Sequence, residues 1–298
     1  MKKQILFLAV IFFSFTISCT KEEEEAKPLT SELTMAINGL EDLGNDFVYE
    51  GWIIVNGAPV STGTFTSTAS NQTFMLDASQ LSAATRFVLS IEPAGETGTA
   101  AATPSATKLL VGDFSGNTAS ISIGTVGDFS TTTPSGIFFL RSPTDESASN
   151  NGNDESGIWF GTPGAPPSPA FTLPALNAGW KYEGWVVVDG IGPLSTGTFT
   201  AFDMADDNAG DSGSFGGTEN NGPPIPGEDF FNNVPSGFTF PLDIRGKTVV
   251  ISVEPFPDNS PKPFLLKPLK GNAGQDTAPA TYDLTFNNAS FPTGSVSR

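Results

Sequence analysis

Tyr49-Glu50-Gly51-Trp52-Ile53-Ile54-Val55 returns as Tyr182-Glu183-Gly184-Trp185-Val186-Val187-Val188, 133 positions later. Working outward, Ser61-Thr62-Gly63-Thr64-Phe65-Thr66 returns at Ser195 to Thr200, and Ser90-Ile91-Glu92-Pro93 returns as Ser252-Val253-Glu254-Pro255. The offsets are 133, 134 and then 162, so the second copy carries 28 additional residues between Thr200 and Ser252. Three blocks in one order mark a duplicated domain, because a period this long encloses enough chain for its own core.

Each block reads as strand. Trp52 to Val55 is a β-branched and aromatic run ending at Asn56-Gly57, and Trp185 to Val188 ends at Asp189-Gly190, both strong turn dipeptides. Thr64-Phe65-Thr66 and Thr198-Phe199-Thr200 are the returning strands. The near-continuous apolar runs Phe87 to Ile91 and Thr248 to Val253 suggest burial on both faces, and each stops at Glu-Pro because proline cannot donate to a ladder. Lys108 to Val111 with Ser120 to Ile123, and Phe264 to Leu266 with Tyr282 to Phe286, close the copies.

Six or seven short strands per copy predict an all-β fold of two tandem antiparallel β-sandwich domains, with no helix after the leader. The expected division is a signal peptide at 1–18, an acidic tether at 19–30, a first sandwich at 31–127, a linker at 128–135 and a second sandwich at 136–298. The second sandwich carries the acidic insertion at 201–233. It also carries a hairpin, Ile137 to Leu140 with Ile158 to Phe160, that has no counterpart in the first copy.

The leader is a secretory signal: Lys2 and Lys3 precede an apolar run, Ile5 to Phe15, too short to span a bilayer. Thr16-Ile17-Ser18-Cys19 resembles a bacterial lipobox, which implies cleavage before Cys19, the chain's one cysteine, and its lipidation. Lipidation also removes a free thiol from an oxidising compartment. Thr20-Lys21-Glu22-Glu23-Glu24-Glu25 reads as a solvated tether, and it resembles the acidic signal of surface-displayed lipoproteins in Bacteroidetes-type bacteria. The expected location is the cell envelope, at the outer membrane and exposed at the surface.

Loss of Lys2 and Lys3 with the leader leaves 12 basic against 32 acidic residues, a formal charge of −20. Nucleic acid is therefore not an expected partner, since phosphate contacts need clustered Lys or Arg. The absence of histidine excludes histidine-dependent triads and the usual zinc sites, and no glycine-rich phosphate loop precedes a helix. The expectation is a protein that is not an enzyme.

Two acidic clusters suggest calcium, the one cofactor in view. The first runs through Asp203, Asp206, Asp207, Asn208 and Asp211 to Glu219, Glu228 and Asp229, and the second from Asp145 to Glu155. Calcium takes several oxygens on a flexible loop, but the EF-hand spacing is not met, and a solvated acidic loop is the commoner reading of the same residues. If the hairpin packs beside the insertion, the two clusters join into one site. Trp159 and Trp180 could offer a stacking platform for sugars or could simply fill the core. Glu50, Glu92, Glu183 and Glu254 recur beside Trp52, Pro93, Trp185 and Pro255; a pair of such carboxylates could serve a glycosidase, but recurrence in both copies favours structural hydrogen bonding.

Across Tyr49 to Thr66, Phe87 to Gly95 and their second-copy equivalents, the chain resembles the extracytoplasmic C-terminal domain of RskA-type anti-sigma-K factors. The resemblance implies a non-catalytic β-sandwich interaction module, here in two copies. Such factors hold a sigma factor with a cytoplasmic domain across a membrane helix, and this chain shows no second long apolar run, so only the external module carries over. The expected partners are the membrane, through the lipid, and an envelope protein or a glycan. The alternative reading is a calcium-dependent surface glycan-binding or adhesion protein.

Overall fold

The computed structural model describes residues 29–145, 152–208, 214–217, 222–257 and 260–298. The leader, Cys19, the acidic run after it and Asp211 lie outside the described residues. Among the described residues no helix is long and apolar enough to cross a membrane.

The chain is all-β, in two tandem antiparallel units. The first unit contains β1 (Thr30–Asn38), β2 (Phe47–Val55), β3 (Ala58–Phe65), β4 (Asn71–Asp77), the short helix α1 (Ala78–Ala83), β5 (Arg86–Pro93), β6 (Lys108–Ser115) and β7 (Thr118–Ile121). The second contains β8 (Gly136–Leu140), β9 (Gly157–Trp159), the two-residue ribbon β10 (Gly161–Thr162) and β11 (Ser168–Pro169), β12 (Trp180–Val188), β13 (Gly192–Phe199), β14 (Gly227–Asp229), β15 (Thr248–Pro255), β16 (Leu269–Asn272) and β17 (Tyr282–Phe286). A last strand, β18 (Thr293–Ser297), ends the chain.

Each unit is one eight-stranded sheet whose edge strands approach each other, β3 to β4 and β13 to β14, so that it curls nearly into a barrel around its core. The strand orders are β3-β2-β5-β6-β7-β18-β1-β4 and β13-β12-β15-β16-β17-β8-β9-β14. The two orders correspond position by position. The hairpin β8–β9 therefore does have a counterpart, contrary to the expectation above: β9 corresponds to β1, and β8 corresponds to β18, the C-terminal strand. The insertion likewise contains β14, which pairs with β9 as β4 pairs with β1.

The C-terminal strand also corrects the assignment of 136–298 to the second unit. β18 crosses back to lie between β7 and β1, with Val296 opposite Ala119 and Met35. Val296 is fully buried there, and the Arg298 guanidinium donates to the carbonyls of Leu81, Ala84 and Gly116 while lying 4.4 Å from the Phe114 ring.

The alternation of β2 and β5 sorts two faces. Tyr49, Ile53, Phe87, Leu89 and Ile91 enter the core, while Glu50, Trp52, Ser90 and Glu92 take the other face. That second face is also buried, which is why both central strands read as unbroken burial. The run Phe264 to Leu266, expected as strand, instead lies alongside β15 through one backbone bond, Val253 N–H to Leu266 O at 2.7 Å, and pairing resumes at Leu269. Prolines 261, 263 and 268 flank that run and remove the donors a ladder needs. α1 was not expected; Asp77 caps it by accepting from the backbone N–H groups of Ser79 and Gln80.

Candidate functional site

The repeated motifs assemble one hydrogen-bonded unit per copy. Gly51 faces Gly63 across a β-bulge, and Gly184 faces Gly197 across another. A side chain at Gly51 would collide with the Thr62 hydroxyl and meet the Phe87 ring at 3.2 Å, and one at Gly184 would collide with the Thr196 hydroxyl and meet the Phe160 ring at 2.6 Å, so the glycine of Glu-Gly-Trp makes room for a threonine hydroxyl and an aromatic ring over the backbone. On the opposite face Ser61 donates to Glu50, and the Gly63 N–H donates to Ser61 Oγ at 3.0 Å; Ser195, Glu183 and Gly197 repeat this.

A second chain of bonds crosses from β2 to β5. Trp52 Nε1 donates to Ser90 Oγ at 2.9 Å, Ser90 donates to Glu92, and the Ser105 N–H donates to the same carboxylate at 2.9 Å. Trp185, Ser252, Glu254 and the Phe264 N–H repeat it. All four glutamates are buried and each anchors a serine hydroxyl; Glu92 and Glu254 also pin the loop that follows their own strand. Burial pushes the Glu50 carboxyl above its ordinary range, against the lowering effect of Ser61, with Glu92 and Glu96 adding a smaller upward push.

The tryptophans expected as a sugar platform are both buried. Trp159 donates to Arg141 O at 2.9 Å, and Trp180 rests against Phe264, so neither presents a face to a ring from solution. The calcium candidates are dispersed. Asp203 is exposed; Asp206 is buried and accepts from the N–H groups of Asn208 and Gly227; Asp207 pairs with Lys181 at 2.5 Å and accepts from Thr198. Among the described residues no three acidic, histidine or cysteine side chains are placed to hold a metal ion.

The hairpin and the insertion nevertheless pack together. Thr144 donates to Asp229 through its hydroxyl and its N–H, and the Gly217 N–H donates to Thr144 Oγ1 at 2.9 Å. Glu228 and Asp229, which read as loop acids in the sequence, are almost fully buried on β14. Burial raises the Glu228 carboxyl to about 9, with Asp206 and Asp229 adding to it, and raises Asp229 to about 7 against the lowering effect of Thr144.

A surface groove of about 560 Å³ at the seam uses chain from both units. Glu41, Asp42, Asp46 and Phe47 form one wall; Glu254, Lys262 and Phe264 belong to the other. The Asp42 carboxylate holds its loop by accepting from the Gly44 N–H at 2.9 Å, and Lys267 bridges the seam to Glu41 at 3.3 Å. A smaller hollow of about 250 Å³ continues past Glu254 to Lys181, Glu183 and Phe256. Four carboxylates line the larger groove, but Glu254 is buried with its bonds inside its own unit and Glu41 pairs with Lys267, so Asp42 and Asp46 supply the surplus negative charge beside Lys262. Such a surface suits a cationic, partly apolar segment and disfavours phosphate. No sequence signal marked it, because its walls lie more than 200 positions apart.

Residues 26–108 match the family model of the C-terminal region of anti-sigma-K factor RskA. The match covers β1 to the start of β6 in the first unit and involves one copy. No curated protein and no solved structure matches the chain.

Proposed function

We propose that the chain is a non-catalytic, extracytoplasmic lipoprotein whose two β units act as an interaction or sensory module at the cell envelope. The observation that carries this reading is the match of residues 26–108 to an anti-sigma-factor domain of the kind that lies outside the cytoplasm. Two supporting features agree with it. The recurring carboxylates are committed to hydroxyl and backbone donors within the sheets, which suits scaffolding, and the acidic seam groove offers a binding face for a basic segment of an envelope protein. Cys19 carries the lipid in this reading, so any influence on transcription passes through a second, membrane-spanning protein.

Capture of the intact lipoprotein from cell envelopes tests the reading. Recovery of a membrane regulator that is lost with the double substitution Asp42→Lys and Asp46→Lys supports it. Recovery of polysaccharide alone overturns it. Metabolic labelling with a radioactive fatty acid, lost in Cys19→Ala, tests the anchor separately.

A further inference from the structure

We propose that Asp229 stands in the folded chain as an uncharged carboxylic acid whose Oδ1–H donates to the Arg141 carbonyl, and that this proton works a pH-sensitive clasp between the acidic insertion and the hairpin β8–β9. Asp229 is fully buried, and its two oxygens are used unequally. Oδ2 accepts from both the N–H and the hydroxyl of Thr144, whose Oγ1 in turn accepts from the Gly217 N–H at 2.9 Å. Oδ1, equally buried, accepts no hydrogen bond among the described residues. It lies beside another acceptor. A side chain at Gly157 would collide with both Asp229 Oδ1 and the Arg141 carbonyl oxygen, so the two oxygens close on one small space. The indole N–H of Trp159 is directed at that carbonyl, at 2.9 Å. A carboxylate would leave two acceptors facing each other out of reach of solvent, whereas a proton on Oδ1 turns the repulsion into a hydrogen bond.

The charges around β14 favour the same state. Asp145, from the segment after β8, acts on Asp229, and Asp206, from the insertion, acts on Glu228; both are like charges. β9 and residues 214–217 contribute no charged side chain. Arg245 is engaged with Asp243 and Glu155, Lys181 with Asp207, and Asp154 accepts from the Ser142 N–H, while the Arg141 side chain lines a separate surface hollow. Burial, opposed by Thr144 and Trp159, pushes Asp229 up to about 7. The clasp is therefore firmest in acid, weakens as pH rises towards 7, and gains nothing from the proton above that. What it holds is local. β14 has β9 as its ladder partner, and the Asp229–Thr144–Gly217 bonds tie the insertion to the hairpin beside the small apolar cluster of Phe139, Trp159 and Ile225.

The test follows amide exchange at Thr144 and Gly217 in the full chain from pH 4 to 9, corrected for intrinsic exchange, in a Glu228→Gln background so that one β14 acid titrates. The expected result is protection that falls about tenfold per pH unit up to about 7 and then levels off, with the amides of β12 and β15 unaffected. Asp229→Asn supplies an amide N–H to the Arg141 carbonyl without a titratable proton, and should keep protection level throughout. In the chain that retains Glu228, the infrared carbonyl band of a protonated acid at pH 5 should lose one component in Asp229→Asn, a readout that does not depend on the Glu228→Gln background. Protection independent of pH, a slope that survives Asp229→Asn, a fall shared with β12 and β15, an infrared band unchanged by Asp229→Asn, or failure of Asp229→Asn to fold overturns the proposal.

Discussion

The two units share a strand order yet complete it differently. The second unit draws all eight strands from one continuous stretch, whereas the first borrows its sixth position from residues 293–297. They also differ beyond β3 and β13. In the first unit a capped helix follows β4, while in the second a longer segment brings β14 and two buried acids to the same edge. What recurs in both is the bonded core of the motifs. The comparison teaches that the repeated sequence specifies the central hairpin and its neighbour, while the periphery is free to be rebuilt from local or distant chain.

The largest expected effect breaks the likeness at β14. Glu228 and Asp229 have folded-state values above those of an unfolded carboxyl, so these two groups bind more protons in the folded chain, and their contribution to stability is greatest in acid and falls as pH rises from about 4.5 through 7 and towards 9. Melting curves in calcium-free buffer should show the second unit losing of order 3 kcal/mol between pH 5 and 8. Glu228→Gln should flatten that slope and raise the melting temperature at pH 8. A slope unchanged by the substitution would show that Glu228 ionises normally.

Next, Gly184→Val should destabilise by about 2–4 kcal/mol, and Gly51→Val by somewhat less, because the Phe160 ring lies closer to its glycine than Phe87 does to its own. Denaturant titrations of both variants check the order. Ser90→Ala and Ser252→Ala should cost equally, about 1–3 kcal/mol each, since each leaves one indole N–H unpaired and takes one hydroxyl donor from a buried carboxylate in the same arrangement. Hydrogen exchange resolved to β2 and β12 separates the units, and a twofold-unequal loss would break the equivalence. Arg298→Ala should have the smallest effect, about 1 kcal/mol, and should raise exchange in β1 and β7 while leaving β8 and β17 unchanged.

The central strands were legible because they carry their own signals: Trp52 to Val55 with its Asn-Gly turn, and Thr248 to Val253 ending at proline. β18 was not legible, because Thr-Gly-Ser-Val-Ser has one apolar residue and no period, and its strand character comes from two neighbours far away in sequence. β14 was hidden for a different reason. Gly-Glu-Asp reads as solvated loop, and nothing local reveals that its carboxyls are buried. The seam groove was beyond reach on the same ground, since it exists only once two distant segments meet. The tryptophans of the expected sugar platform have ordinary strand surroundings, and burial in a core is the common fate of such residues.

The return of β18 makes the second unit a guest within a hairpin of the first. Ile121 and Gly294 lie side by side, and everything between them leaves and re-enters at one place. The units are therefore joined by two chain crossings, residues 122–135 and 287–292, in place of a single tether. A two-stranded joint can fold along the line between its crossings but resists twisting about it. A protease that cuts at 131–133 would leave both pieces together, still clasped through the other crossing and the sheet it enters.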